Sequence, residues 1–204
     1  MKLLRKINKG LILTIIVVAA VAIYSINVEL NRNKEKGNIK LACEEFLKTT
    51  SESLILPEKY HNLDTKVSEE DLNNIMEEVK KDLKEKMIDN DSAIEIQSTI
   101  IESELNEQIY SENIITKIER EITKISSYTF DGDQVTVKFK SKVNKDINYL
   151  NEINKVETKN SSFNAESDTI ILQKVDNTWK VVYSDIQFSE GYYPDLNGFQ
   201  VIYN

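Results

Sequence analysis

The chain offers few side chains that could do chemistry. Among its 204 residues there is one His and one Cys. His61 lies in the polar loop Lys59-Tyr60-His61-Asn62, soon after Pro57. A lone imidazole excludes a histidine-cluster metal site and makes a poor centre for histidine-led catalysis, so an ordinary loop residue is expected. A lone Cys excludes a disulfide framework and a cysteine-rich metal site. Asp131 and Asp133 flank Gly132. Two carboxylates so close could raise a pKa or hold a cation. However, Gln134-Val135-Thr136-Val137 lacks the further oxygens and late Glu of a calcium loop, and Asp-Gly-Asp reads as a turn. Five Gly and two Pro exclude a nucleotide fold built on several glycine-rich turns. No catalytic residue, cofactor or metal ligand is therefore expected.

Two further groups could bind a partner. Glu69, Glu70, Asp71, Glu77, Glu78, Asp82, Glu85 and Asp89 crowd one segment, eased by Lys80, Lys81, Lys84 and Lys86. Such a run is expected to be a solvated helix face. Near the C-terminus, Tyr192, Tyr193, Phe199 and Tyr203 fall within a dozen residues. They could pack onto the domain, but exposed tyrosines are good interface material, and these four are the expected partner-binding residues.

The chain carries a net charge of −8. Up to Gly37, seven basic residues outweigh Glu29 and Glu35, a balance of +5, so the remainder carries −13. A domain that acidic repels phosphate backbones, and nucleic acid is not an expected partner. By composition alone, the wealth of Ile, Asn and Lys suggests a low-GC bacterial source.

The run from Leu11 to Val28 is uncharged and follows four basic residues. As a helix its 18 residues would reach about 27 Å, close to the ~30 Å of a hydrocarbon core. A single-pass anchor is expected, with the basic N-terminus cytoplasmic and the C-terminal domain outside the cell membrane. Ala20-Val21-Ala22 would suit a signal peptidase, which keeps cleavage open, but the apolar run continues past it to Ile26. Lipidation at Cys43 is disfavoured, because the apolar run ends some 15 residues earlier. Cys43 falls on an apolar helical stripe and is expected to be buried.

The expected division is a cytoplasmic stub (1–10), an anchor (11–28), a juxtamembrane linker (29–38), an α+β domain (39–188) and an aromatic tail (189–204). Ile39, Ala42, Cys43, Phe46, Leu47 and Thr50 recur at helical spacing, predicting a helix that stops near Leu54–Leu56. Ser68 with Asp71 resembles a capping box and opens a helix through Leu72, Ile75, Met76, Val79, Leu83 and Met87. Ile94, Ile101, Leu105 and Ile109 predict another. Ser111 is expected to restart a helix through Ile114, Ile115 and Ile118. Val135, Val137 and Phe139 then alternate with Thr136, Lys138 and Lys140, and Asp131-Gly132-Asp133 makes a hairpin with 125–130. Residues 144–164 are expected to be irregular. A second hairpin turns at Asp176-Asn177.

The stretch Thr169-Ile-Ile-Leu-Gln-Lys-Val-Asp-Asn-Thr-Trp-Lys-Val-Val-Tyr-Ser-Asp-Ile186 resembles the closing hairpin of the nuclear-transport-factor-two-like, or cystatin-like, superfamily. In its bacterial, membrane-anchored, extracytoplasmic members an apolar strand ends in an acidic turn and a Trp-Lys pair opens the last strand. Phe130-Asp-Gly-Asp-Gln-Val-Thr-Val137 looks like the preceding hairpin. The resemblance implies helices packed on one face of a curved antiparallel sheet of about four strands, with Trp179 folded over its end. The superfamily holds isomerases, dehydratases, ligand binders and assembly modules, so it leaves chemistry open. One span and one such outer domain also resemble scaffold subunits of conjugation and type IV secretion machines. The expectation is a non-catalytic extracytoplasmic binding or assembly module, partnered by another membrane or envelope protein. A small hydrolase or isomerase using the sheet–helix cavity is the alternative.

Overall fold

The computed structural model describes residues 9–188, with side chains from Thr14 onward. It divides into two compact units, Met1–Lys40 and Leu41–Asn204. Helix α1 is Lys9–Glu52.

In the first unit, Ile15, Ile16, Val17, Val18, Val21, Ile23 and Ile26 are all more than half exposed. Such a helix surface, bare on all sides, suits hydrocarbon rather than water. Among the described residues α1 is long and apolar enough to cross a membrane. The expected linker 29–38 is helical throughout, and Gly37 does not end the helix. Nothing lies within 4 Å of a Cβ placed on Gly37. An exposed Gly costs a helix about 1 kcal/mol relative to Ala, too little to break it where its neighbours favour helix.

The second unit places α2 (Glu69–Lys86) and α3 (Asp91–Ser111) before four strands: β1 (Ile114–Asp131), β2 (Gln134–Leu150), β3 (Val156–Val175) and β4 (Thr178–Asp185). The strands form one antiparallel sheet in the order β1-β2-β3-β4. The Ser68 hydroxyl accepts the Asp71 N–H at 3.1 Å and caps α2 as its sequence predicts. Asn90 caps α3, accepting from the N–H groups of Ser92 and Ala93. Helix α2 buries Met76, Val79 and Leu83 and leaves its acidic residues to solvent.

Two expectations fail here. The helix predicted to restart at Ser111 is β1. Ile115 and Ile118, and Ile122 and Ile125, are three apart, which imitates a helical stripe. Each interval spans a β-bulge, at Ile115/Lys117 and at Ile122/Lys124. The extra residue of a bulge returns a spacing of three to the same face. The run is rich in β-branched Ile and Thr, which favour the pleat. Residues 144–164, expected to be irregular, are instead the arms of a long β2–β3 hairpin, paired from Asn144↔Ser162 to Leu150↔Val156. Their polar residues are paired across the strands, as in Ser162 Oγ to Asn144 Oδ1 at 2.8 Å and Asn160 Nδ2 to Asp146 Oδ1 at 2.6 Å.

The turns hold. Asp176 and Asn177 both have positive φ, 48° and 63°, as a two-residue hairpin loop matched to strand twist requires. Gly132, at φ 56°, takes the corresponding role between β1 and β2. One sheet face is buried: Val135, Val137, Phe139, Ser141, Val143 and Lys145 from β2, with Ile170 and Leu172 from β3 and Val181 from β4. The outward face carries Lys138 and Lys142, both exposed. Trp179 is 8% exposed at the start of β4. Trp179→Ala is expected to cost about 3–5 kcal/mol in a denaturant titration. An unchanged midpoint would mean that the indole contributes nothing to the core.

Candidate functional site

The inward register of the sheet carries more than apolar residues. Ser141 and Lys145 keep the odd-numbered alternation of β2 and are buried. Arg120 lies between Ile118 and Ile122 on the inward side of β1. Asp168 of β3 is 1% exposed, and Glu104 of α3 is buried above the sheet. Two cations and two carboxylates thus share one interior.

The chain after β4 crosses this interior. The Gln187 N–H donates to Asp168 Oδ1 at 3.0 Å, and the Ser141 hydroxyl donates to Asp168 Oδ2 at 2.5 Å. Lys145 Nζ donates to the Phe188 carbonyl at 2.5 Å, and Arg120 Nη2 donates to the Gln187 carbonyl. The Arg120 guanidinium faces the Phe188 ring at 5.6 Å, and Lys145 faces Phe163 at 5.8 Å. Phe188 is itself buried. Residues 186–188 therefore cover the charged patch with two carbonyls and an aromatic ring. Arg120 is half-exposed as a whole residue, yet its Nε and Nη1 are buried without a hydrogen-bond partner among the described residues. Its exposed part is therefore not the guanidinium core.

The environment sets protonation. Burial raises the Glu104 carboxyl above its ordinary value, with Lys145 pulling the other way. Burial lowers Lys145 and Arg120, opposed chiefly by Glu104 and by Asp168 respectively. Asp185 is raised by burial and then by the negative charge of Asp168. A raised acid beside a lowered amine is the pattern of acid–base sites, but also of structural ion clusters.

Other polar bridges hold α3 to its surroundings. Gln108 donates to the Leu54 carbonyl at 3.0 Å and accepts from the Ile115 N–H at 2.9 Å. Ser184 donates to Gln97 Oε1 at 2.6 Å. A separate cleft of about 440 Å³ opens where β1 meets α1. Glu44, Leu47, Lys48, Ser51 and Glu52 form one wall, and residues 118–122 form the other.

The residues singled out from sequence are not brought together. His61 is half-buried; its Nε2 lies 2.7 Å from the Leu56 carbonyl and its own carbonyl accepts from Asn148. It ties its loop to the hairpin arm. Asp131 and Asp133 are exposed at their turn. Cys43 is fully buried, and burial pushes its thiol up to about 12, so it is chemically inert. No group of three or more His, Cys, Asp or Glu that could hold a metal occurs among the described residues. Tyr192, Tyr193, Phe199 and Tyr203 lie outside the described residues.

No protein family model matches the chain, and no curated protein matches it. Among solved structures it is similar to the intermembrane space region of the chloroplast protein ARC6, at 12% identity and TM-score 0.41, over 78% of this chain and 96% of that one. It is also similar to a periplasmic fragment of TraM, at 14% identity and TM-score 0.37, over 69% and 93%. A nuclear transport factor 2-like superfamily protein from Salmonella enterica serovar Typhimurium matches at 14% identity and TM-score 0.25, over 45% and 66%. At such identity and overlap nothing about function transfers.

Two substitutions test the charged interior. Asp168→Ala removes the acceptor of two buried donors and is expected to cost about 3–5 kcal/mol by denaturant titration; a loss under about 1 kcal/mol would contradict its anchoring role. Glu104→Gln has the opposite sign. A carboxyl whose folded pKa is raised weakens the fold once it ionises. Glu104→Gln should therefore raise the melting temperature at neutral pH. That gain should fade as pH falls through the raised folded value toward the ordinary carboxylate range, where the native residue is itself protonated. A gain independent of pH would show that charge is not its cause.

Proposed function

We propose that this chain is a membrane-anchored, extracytoplasmic binding or assembly module without catalytic activity. Residues 1–10 are its cytoplasmic stub, 11–28 its anchor, 29–38 a helical juxtamembrane segment, 39–188 its folded domain and 189–204 its aromatic tail. Its partner is another membrane or envelope protein. Tyr192, Tyr193, Phe199 and Tyr203 are the proposed contact residues.

One observation supports this above others. The sheet–helix interior, where an enzyme of this architecture would keep its reactive groups, is filled by the chain's own Gln187 and Phe188. Asp168 spends both oxygens on Ser141 and Gln187. Lys145 and Arg120 reach backbone carbonyls rather than an open cavity. Groups held this way are engaged by the chain's own backbone and stabilise the fold. The bare apolar surface of α1 between Ile15 and Ile26 supports the anchor. A scaffold subunit of a conjugation or secretion machine is a narrower form of the same proposal.

Glu104 favours a second reading. A buried carboxyl with a raised pKa near a lysine could act as a general acid in a small hydrolase or isomerase. The two readings part in a cell. Residues 38–204, secreted without the anchor in a strain lacking the gene, should fail to restore function, because an anchored module meets a membrane partner at high effective concentration. Full rescue by the soluble form would favour an enzyme on a diffusible substrate. The intact chain should also stay with membranes through high-salt and carbonate washes. A mature form beginning at Ile23 in the medium would mean that Ala20-Val21-Ala22 is cleaved instead.

A further inference from the structure

The domain's net charge is not shared evenly along its chain. Residues 41–112, which hold the end of α1 with α2 and α3, carry 19 acidic residues and seven basic ones. Residues 113–188, which hold the sheet, carry eleven of each. Within the sheet, lysines gather on the outward face. Lys138, Lys140 and Lys142 alternate with the buried Val137, Phe139, Ser141 and Val143, so all three point outward. Lys124 of β1 stands directly opposite Lys140. Like charges directly opposite destabilise a sheet, so sheet stability does not account for this arrangement. Glu166 pairs with Lys140, and Glu121 stands opposite Lys142. Lys124 and Lys138 are exposed and join no salt bridge among the described residues.

Helix α2 carries a row of the opposite sign. Glu78, Asp82 and Glu85 recur at i, i+4 and i+7, which is one stripe of a helix. All three are exposed, and none joins a salt bridge among the described residues. Lys80 and Lys86 of the same helix pair instead with Glu95 and Glu45. We propose that the outward sheet face is an interaction surface, and that its occupant is the acidic α2 stripe of a second copy of this chain. This deepens the assembly proposal and rests on it only for the membrane that the copies share.

Charge and spacing select that occupant. A helix rises so that Glu78 and Glu85 stand about 10 Å apart along its axis. A strand rises so that Lys138 and Lys142 stand about 13 Å apart, with Lys124 alongside. Three carboxylates can therefore lie over this lysine row within the reach of flexible side chains. The two surfaces differ, so one copy's helix meets the next copy's sheet, and the contact is head-to-tail. Two acidic domains also repel one another. That repulsion is long-range and largely screened beyond about 8 Å at physiological salt, whereas pairs partly buried in a contact are screened much less. Copies anchored in one membrane meet at high effective concentration, so weak contacts of this kind suffice.

The test uses the full chain in liposomes at physiological salt, as a mixture of isotope-labelled and unlabelled copies. A carbodiimide joins a lysine amine to a carboxylate in contact with it. It should link Lys124 or Lys138 of one copy to Glu78, Asp82 or Glu85 of another, read by mass spectrometry as peptide pairs of mixed isotope content. Energy transfer between copies bearing donor or acceptor dyes at the N-terminus measures the association itself. Lys124→Glu with Lys138→Glu should weaken association by at least about tenfold, and so should Glu78→Lys with Asp82→Lys. All four substitutions in one chain restore the complementarity with both signs exchanged, and should recover association. Absence of links to α2, reversals that leave energy transfer unchanged, or no recovery in the fourfold variant would each overturn the proposal. Links within one chain from these lysines to Glu190 or Asp195 would overturn it in favour of the chain's own tail as the occupant. No other protein is present, so failure here leaves assembly with a different membrane protein standing, and failure of that reading leaves these links intact.

Discussion

The domain is organised by four charges that it buries. Arg120, Lys145, Asp168 and Glu104 sit between the sheet and α3, where desolvation penalises each of the ions. The fold tolerates Arg120, Lys145 and Asp168 because the chain returns over the sheet after β4. Gln187 and Phe188 bring an N–H and two carbonyls to Asp168, Lys145 and Arg120. Without that crossing segment the inner face would hold stranded charges, and the three strands that carry them would have no closed core. The position of residues 186–188 and the depth of Phe188 follow from this requirement.

Much of this order was legible in the sequence, because local rules and tertiary structure agree there. Ser68 caps α2, Asp176-Asn177 turns the last hairpin, and Val135, Val137 and Phe139 face inward as their alternation demands. The failures have physical causes. Bulges in β1 give Ile115, Ile118, Ile122 and Ile125 a helix-like spacing. The hairpin arms of β2 and β3 have little apolar pattern because their pairing is carried by Asn, Ser and Thr side chains as well as backbone. The expected linker 29–38 is helical, and the exposed helix interior there tolerates Gly37.

The charged interior was harder to read. Arg120, Lys145, Asp168 and Glu104 resemble solvated surface residues in a chain that is 29% charged. A signal was present: Lys145 continues the odd-numbered inward register of Val135 through Val143, and Arg120 stands midway between Ile118 and Ile122. Nothing local reveals Asp168 or Glu104. Their partners are 19 residues away in the first case and on a different layer in the second. His61 and the Asp131–Asp133 pair were the conspicuous candidates, and both serve loops and turns.

The covering of the charged interior can be measured at one atom. The Gln187 N–H donates to Asp168, beneath Phe188 and away from any regular strand. If residues 186–188 are the keystone of the charged interior, this amide should exchange with deuterium only as slowly as the core amides of β2, through global unfolding. Exchange at the rate of an exposed loop would contradict the account, since the interior would then be open to water and available for chemistry.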